Sequence, residues 1–285
     1  RVIEKTPAVL QRLKNYAAGT GKKSFNPSSL NDYLLCPVLF YWKHLMNVGE
    51  TEERQDDFSE RDLGNAVHHT MELYYGSKKG VLQTSFEDRS AIHTLLEQQF
   101  KPDMSPLLLK VAHDILDIIL NIDENAFPFT IIDVEHPCDR ELYLTDGTKV
   151  RIKGKIDRID KKDSTIRLID YKTGSAIPNF KNTESLFDSE NTKRNHYAFQ
   201  TLLYCFLYGE PHTEAHIYAV RNGAHSSTMV TDDTADFSYE TIQDDFVNRL
   251  RELIEKIMNP TQPFVRRWDD RTCANCAFSQ LCSVG

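Results

Sequence analysis

Lys155-Ile156-Asp157-Arg158-Ile159-Asp160, followed after a short turn by Leu168-Ile169-Asp170-Tyr171-Lys172-Thr173-Gly174, decides how this chain is read. Successive side chains of a strand alternate between faces, so Asp170 and Lys172 point the same way. Ile166 and Leu168 share that face, so an apolar row ends in an acid and a base. Burying a carboxylate is costly unless it is paired or bound to metal. A neighbouring strand can bring Asp157 beside them. Two carboxylates and an ammonium at one sheet edge suit a divalent cation and an activated water, hence hydrolysis of an anionic substrate. The plainer reading of 150–157 is a half-exposed strand. Val150, Ile152, Gly154 and Ile156 would face inward, and Arg151, Lys153, Lys155 and Asp157 would form a solvated face.

The 285 residues suffice for one large domain or two small ones, and 40% hydrophobic with 27% charged residues is the balance of a globular protein. No apolar run approaches membrane-spanning length and no signal-peptide pattern opens the chain, so a cytoplasmic setting is expected. The first residue is Arg1 rather than Met, which suggests a piece of a longer protein. A net charge of −8 disfavours a protein that coats nucleic acid. The charges are uneven, however. Acids crowd into 50–62 and 232–245, while Arg151, Lys153, Lys155, Lys172, Lys193 and Arg194 gather near the two strands.

Helical patterns are predicted at Ala8–Ala18, from Asn26 to Met46, at Arg61–Tyr75, Phe86–Phe100, Met104–Asn121, Asn195–Tyr208 and Ser238–Met258. Strands are predicted from Ile131, with a hairpin turn at Thr145-Asp146-Gly147-Thr148, then at Lys149–Asp160, Thr165–Tyr171, Ala215–Val220 and Ser226–Val230. Gly49–Glu60 and the polar stretch up to Arg194 read as loops, and Arg221-Asn222-Gly223 as a turn. The order predicts an α/β or α+β core with an accessory helical layer. Residues 1–24 are expected to form an arm or linker and 25–285 a single domain. Within it, helices would fill about 25–125, the core about 130–232, and a helix with a cysteine cluster about 238–285.

Asp157…Asp170-Tyr171-Lys172 matches the D…(D/E)-x-K signature and resembles the PD-(D/E)XK nuclease superfamily, in particular its RecB-like branch. Leu63-Gly64-Asn65-Ala66-Val67-His68 resembles that branch's histidine-donating helix, and Gln200-Thr201-Leu202-Leu203-Tyr204 its Q-x-x-x-Y helix. The resemblance implies a restriction-endonuclease-like core, a mixed sheet flanked by helices. It implies Mg²⁺ or Mn²⁺ on His68, Asp157, Asp170 and the Tyr171 backbone carbonyl, ligands suited to hard cations. Lys172 would hold or help deprotonate the attacking water, and Gln200 and Tyr204 would orient the substrate backbone or Lys172. DNA is the implied substrate, cut as by an exonuclease of a recombination or repair protein that works with a helicase. His69 competes with His68, and the roles of Glu72 and Glu135 stay open. Gln200 and Tyr204 could also serve packing. A rival reading is a non-catalytic, DNA-gripping module of the same fold.

Cys273, Cys276 and Cys282 form C-x2-C-x5-C, with Cys36 before Pro37 as a fourth thiolate, whereas Cys138 and Cys205 sit in apolar periodic segments. A thiolate metal site is favoured over disulfides. The one-plus-three arrangement resembles the AddB-like iron–sulfur nucleases, which implies a [4Fe–4S] cluster, with zinc the alternative. Such a cluster would fasten the first helices to the C-terminal segment. Lys155, Lys193, Arg194 and Trp268 are candidate DNA contacts, the last beside Phe264, Arg266, Arg267 and Arg271.

Overall fold

In the computed structural model, which describes all residues except 22, 50–59, 102–103, 192, 221–227, 233 and 284–285, local capping chemistry sets the helix ends. β1 (Val2–Ile3) leads into α1 (Pro7–Ala18), which Thr6 caps by accepting from the Val9 N–H and Gly19 closes at φ 62°. α2 (Pro27–Leu35) opens on a capping box between Asn26 and Ser29. The single helix predicted through Met46 is broken. Proline disfavours the helical region for the residue before it, so Cys36 is extended at φ −158° and ψ 116°. The chain resumes as α3 (Pro37–Phe40) and a π-helical turn at Tyr41–Leu45.

Next come α4 (Glu60–Gly76), β2 (Leu82–Gln83), α5 (Arg89–Glu97), α6 (Pro106–Ala126), β3 (Phe129–Tyr143), β4 (Lys149–Lys162) and β5 (Thr165–Lys172). They are followed by α7 (Thr183–Phe187), α8 (His196–Tyr208), β6 (Thr213–Ala219), α9 (Tyr239–Met258), β7 (Phe264–Val265), α10 (Asp270–Ala274) and α11 (Ser279–Ser283). The polar stretch expected as loop therefore contains α7. Of the strand expected at Ser226–Val230, residues 226–227 lie outside the described residues, and Thr228 and Val230 make backbone bonds with Ile217 and Ala215. The Arg221–Gly223 turn and residues 50–59 of the acidic loop lie outside the described residues.

Among the described residues the main sheet runs β2-β3-β4-β5-β6, antiparallel except for the parallel β5–β6 pair. A parallel neighbour needs a crossover, and α8 lies in that connection. The expected mixed sheet flanked by helices is thus observed. One core packs α1, α2, α8 and α9 against Ile152, Ile156, Ile159 and Leu168. The other packs α4, α5 and α6 against Ile131, Ile169, Tyr171 and Tyr218. Because β5 is covered on both faces, Leu168 and Ile169 are both fully buried.

Residues 1–24 are not a detached arm. Val2 and Ile3 pair with Val265 and Phe264, and Lys5 Nζ donates to the carbonyls of Ile257 and Asn259 at 2.6 and 2.7 Å. Val9, Leu13, Tyr16 and Ala17 give α1 an apolar stripe at helical spacing, and that stripe is buried in the core.

Under α6 the second core encloses a charge. Arg158 and Asp123 are both fully buried, joined by two bonds of 2.8 and 2.7 Å. Tyr75 donates to Asp123 at 2.8 Å, while Tyr171 and Tyr218 hydroxyls accept from Arg158 at 3.0 and 3.2 Å. Asp160 lies 3.1 Å from Arg158 and is itself held by Arg167 at 2.6 and 2.9 Å. Removing one partner of such a pair leaves an uncompensated buried charge, which costs about 3–5 kcal/mol. Asp123→Ala should lose that much stability in urea unfolding, whereas Asp123→Leu with Arg158→Met should lose far less than the two single changes summed.

Candidate active site

The β4–β5 ladder ends at Arg158↔Ile169. Two residues further along β5, the Tyr171 N–H has no strand acceptor on β4 in that ladder and donates instead to Asp157 Oδ2 at 2.9 Å. The Asp157 carboxylate therefore replaces a backbone acceptor where the two strands part. Ile156 and Ile159, three residues apart, both join the first core, so the alternation expected for β4 fails across Asp157. On β3, Glu135 has φ 49°, a left-handed conformation uncommon for a non-glycine residue. It sits next to His136, which pairs with Ile156.

His68 enters from α4. Its Nε2 donates to the Tyr171 carbonyl at 3.0 Å, and its Nδ1 lies 3.5 Å from Asp157 Oδ2. Burial alone would lower the His68 pKa, but Asp157 and Asp170 outweigh it and the imidazole is held above its ordinary value. Burial likewise works against ionised Asp157, yet His68, Lys172 and the Tyr171 N–H hold its carboxyl below the usual range. His69 turns to Glu72 at 2.9 Å and is half exposed, so His68 is the histidine aimed at the carboxylates. Gly64 stands one turn before His68 on the same helix, with Thr173 Oγ1 3.5 Å from where a Cβ would lie.

Asp170 is buried, 1% exposed, with Lys172 Nζ 2.6 Å from its Oδ2. Gln200 Nε2 donates to Asp170 Oδ1 at 3.0 Å and to the Tyr204 hydroxyl at 2.9 Å. Burial pushes the Asp170 pKa up to about 6 against the pull of Lys172. The ammonium of Lys172 is disfavoured by burial but held charged by Asp170 and Asp157, its pKa raised overall. Gln200 and Tyr204 were expected to orient substrate or Lys172; their hydrogen bonds instead support Asp170. α8 approaches closely enough to do so because β4 has glycine beneath it. A Cβ at Gly154 would fall 2.7 Å from Leu207 Cδ1 and 3.3 Å from Tyr204 Cε1.

Of the two glutamates left open in the sequence, Glu72 pairs with His69 and Glu135 enters the site. The Glu135 carboxylate contacts Lys155 Nζ, and one ligand atom each from His68, Glu135 and Asp157 lie within 4.8 Å of one another. This is a hard-donor set, two carboxylates and an imidazole, that fits Mg²⁺ or Mn²⁺. Asp170 stands beside that triad, tied to Lys172 and Gln200, and the Tyr171 carbonyl faces His68. The strand pattern alone did not single out Glu135. Only its opposition to β4 does. His68, Glu135, Asp157, Tyr171 and Lys172 line an open cavity of about 620 Å³, together with Tyr197, whose ring lies 5.6 Å from Lys172 Nζ.

The other expected contacts divide. Lys155 is an exposed rim residue paired with Glu135. Lys193 is exposed. Trp268 is 68% exposed, with the Arg266 guanidinium 4.2 Å from its ring centre. Arg194 is not a surface cation. It bonds the Leu186 carbonyl at 3.0 Å and Asn31 at 2.6 Å, and burial brings its pKa down to about 10. Its long side chain is a tether between α2 and the segment before α8.

Cys36, Cys273, Cys276 and Cys282 line one cavity of about 530 Å³, along with Trp42 and Phe278. The break at Pro37 is what turns Cys36 toward the C-terminal segment. Among the described residues no three of their sulfurs lie within 4.8 Å of one another. A single tetrahedral ion at Zn–S of about 2.3 Å needs sulfurs about 3.8 Å apart, so the thiols are too spread for zinc as they stand. Cys138 and Cys205 are buried elsewhere, with burial pushing the Cys138 thiol up to about 11.

A family model of the PD-(D/E)XK nuclease superfamily matches residues 24–283, and the chain belongs to that superfamily. A curated relative is one component of the ATP-dependent helicase/deoxyribonuclease of Clostridium tetani (strain Massachusetts / E88), 25% identical over 182 residues. That match covers 54% of this chain and 16% of the relative, so the chain spans a small part of that protein's length. Among solved structures, the crystal structure of SSO0001 aligns over 81% of this chain and 90% of its own, at 16% identity and a TM-score of 0.33. No helix among the described residues is long and apolar enough to cross a membrane.

Ligand binding to the folded state stabilises it by mass action, by about 2.7 kcal/mol at a hundred times Kd. Mn²⁺ should therefore raise the melting temperature of the chelator-treated protein, and Asp157→Ala or Glu135→Ala should remove most of that rise. A rise retained in both variants would place the ion elsewhere.

Proposed function

We propose that this chain is a Mg²⁺- or Mn²⁺-dependent deoxyribonuclease domain, acting as an exonuclease within a recombination or repair protein that works beside a helicase. The observation that carries this reading is the convergence of His68, Glu135 and Asp157 next to the Asp170–Lys172 pair. The relative's description as part of a helicase/deoxyribonuclease supports the choice of DNA and of a helicase neighbour. A cytoplasmic setting follows from the same reading.

Within the site each residue has a task. When bound, the divalent ion lowers the pKa of water and neutralises phosphate oxygens, which is the chemistry a phosphodiester needs. His68, Glu135, Asp157 and Asp170 would hold it, with the Tyr171 carbonyl adjacent. Lys172, held as an ammonium, would donate to the attacking water and to the charge developing on phosphorus rather than take a proton. Gln200 and Tyr204 keep the Asp170 carboxylate aimed. Lys193 and Trp268 would contact the strand by charge and stacking. Labelled single- and double-stranded DNA with defined ends, incubated with Mg²⁺ or Mn²⁺, tests the reading. Wild type should shorten strands from an end, and Asp170→Ala and Lys172→Ala should each lose at least about a hundredfold in rate, the scale of removing one transition-state donor. Equal cutting by all three proteins, or binding without cutting by wild type, would refute it.

We further propose that the four-cysteine cavity holds a [4Fe–4S] cluster that fastens the Cys36 break to α10 and α11. What supports this reading is that all four cysteines line the same cavity. Iron and sulfide analysis of anaerobically purified protein should return about four of each per chain; stoichiometric zinc without iron would replace the cluster with a single ion.

A further inference from the structure

Away from the nuclease centre, α5 and α6 each carry a histidine followed four residues later by a carboxylate: His93 and Glu97 on one, His113 and Asp117 on the other. At that spacing the two side chains share a helix face, one turn apart. The pairs are crossed. His93 Nε2 lies 3.0 Å from Asp117 Oδ1, and His113 Nε2 lies 3.1 Å from Glu97 Oε1. Each helix's carboxylate therefore orients the other helix's imidazole. Arg89 also engages Asp117, at 3.0 Å, so that carboxylate is held from two sides. The remaining ring nitrogens, both Nδ1, stand 2.6 Å apart, with the rings tilted by 30°.

A carboxylate facing a ring nitrogen calls for a hydrogen on that nitrogen. Both Nε2 atoms then carry the hydrogen, and in neutral imidazoles both Nδ1 atoms present lone pairs to each other. Two lone pairs at this separation repel unless an electrophile lies between them. It is either one extra proton or a metal ion. Imidazoles whose outer N–H is held by a carboxylate are the usual arrangement around a histidine-bound metal.

We propose that His93 and His113 form a second metal site, taking a transition cation of the Zn²⁺ class through both Nδ1 atoms. Nitrogen donors select Zn²⁺, Ni²⁺ or Cu²⁺ over Mg²⁺, which separates this site from the carboxylate-rich nuclease centre. At Zn–N of about 2.0–2.1 Å and a tetrahedral angle, the nitrogens stand about 3.3 Å apart, so the rings part by about 0.7 Å from their 2.6 Å separation. The histidine side chains are 21% and 23% exposed, which leaves the other coordination positions to water. The ion would clamp α5 onto α6, the helix that supplies Asp123 to Arg158.

Long-range ¹H–¹⁵N correlation spectra of protein labelled at histidine test this directly. One equivalent of Zn²⁺ should shift the Nδ1 signals of both His93 and His113 while their Nε2 atoms keep their hydrogens, and Mg²⁺ should not. His93→Gln should abolish the shift at His113. Asp117→Asn, which leaves both ligands in place, should weaken zinc by about 10–100-fold. Zinc that perturbs only His68, or leaves every histidine unchanged because it is taken up by the cysteines, overturns the proposal. So does a His93–His113 pair that responds to pH alone.

Discussion

A guanidinium cannot sit in a dry interior without an anion, and the second core of this protein is arranged around that constraint. Arg158 is enclosed by Tyr75, Phe129, Tyr171 and Tyr218, with ring centres 4.8 to 5.7 Å from its charge. Asp123 of α6 neutralises it, and the Tyr171 and Tyr218 hydroxyls each accept a further hydrogen from its terminal nitrogens, while its Nε is left without a partner among the described residues. The pair sets how α6 seats on the sheet. Arg158 follows Asp157, and Tyr171 lies between Asp170 and Lys172, so the buried charge network and the candidate metal ligands share the same backbone. The helical layer is thereby part of what positions the site.

The site itself is built from unfinished strand pairing. Where the β4–β5 ladder stops, Asp157 takes over as acceptor for Tyr171, and the Tyr171 carbonyl takes the His68 hydrogen. Asp170 is fixed by Gln200 and Lys172. Acidic groups brought this close repel, and burial penalises each charge further. Among the described residues His68, Lys172 and Lys155, with the Tyr171 N–H and the Gln200 amide, offset part of that repulsion. A divalent cation would do so more completely, so the electrostatic strain of the cluster by itself favours binding one.

Much of this was legible in the chain. Alternation within Thr165–Lys172 placed Asp170 and Lys172 together, and the motif order implied His68, Gln200 and Tyr204. Errors came where a tertiary contact overrode a local pattern. Residues 1–24 looked detachable because a two-residue strand pairing with Phe264 and Val265 has no local signal. Arg194 looked like a surface cation because its partners, Leu186 and Asn31, are distant or undistinguished in sequence. The spacing of Gln200 and Tyr204 put them on one helix face, but which group they serve depends on how near Gly154 lets α8 come.

The sequence by itself determined the superfamily through its ordered motifs, and the resemblance so established implied the mixed sheet; strand period and helix spacing placed most of the chemical groups at its edge. Tertiary structure alone decided the inclusion of Glu135 and the crossed His93–His113 pairing. Each depends on elements far apart in the chain meeting at a separation of a few ångströms. Periodicity reports which face a side chain takes; it carries no record of what another element will set against that face.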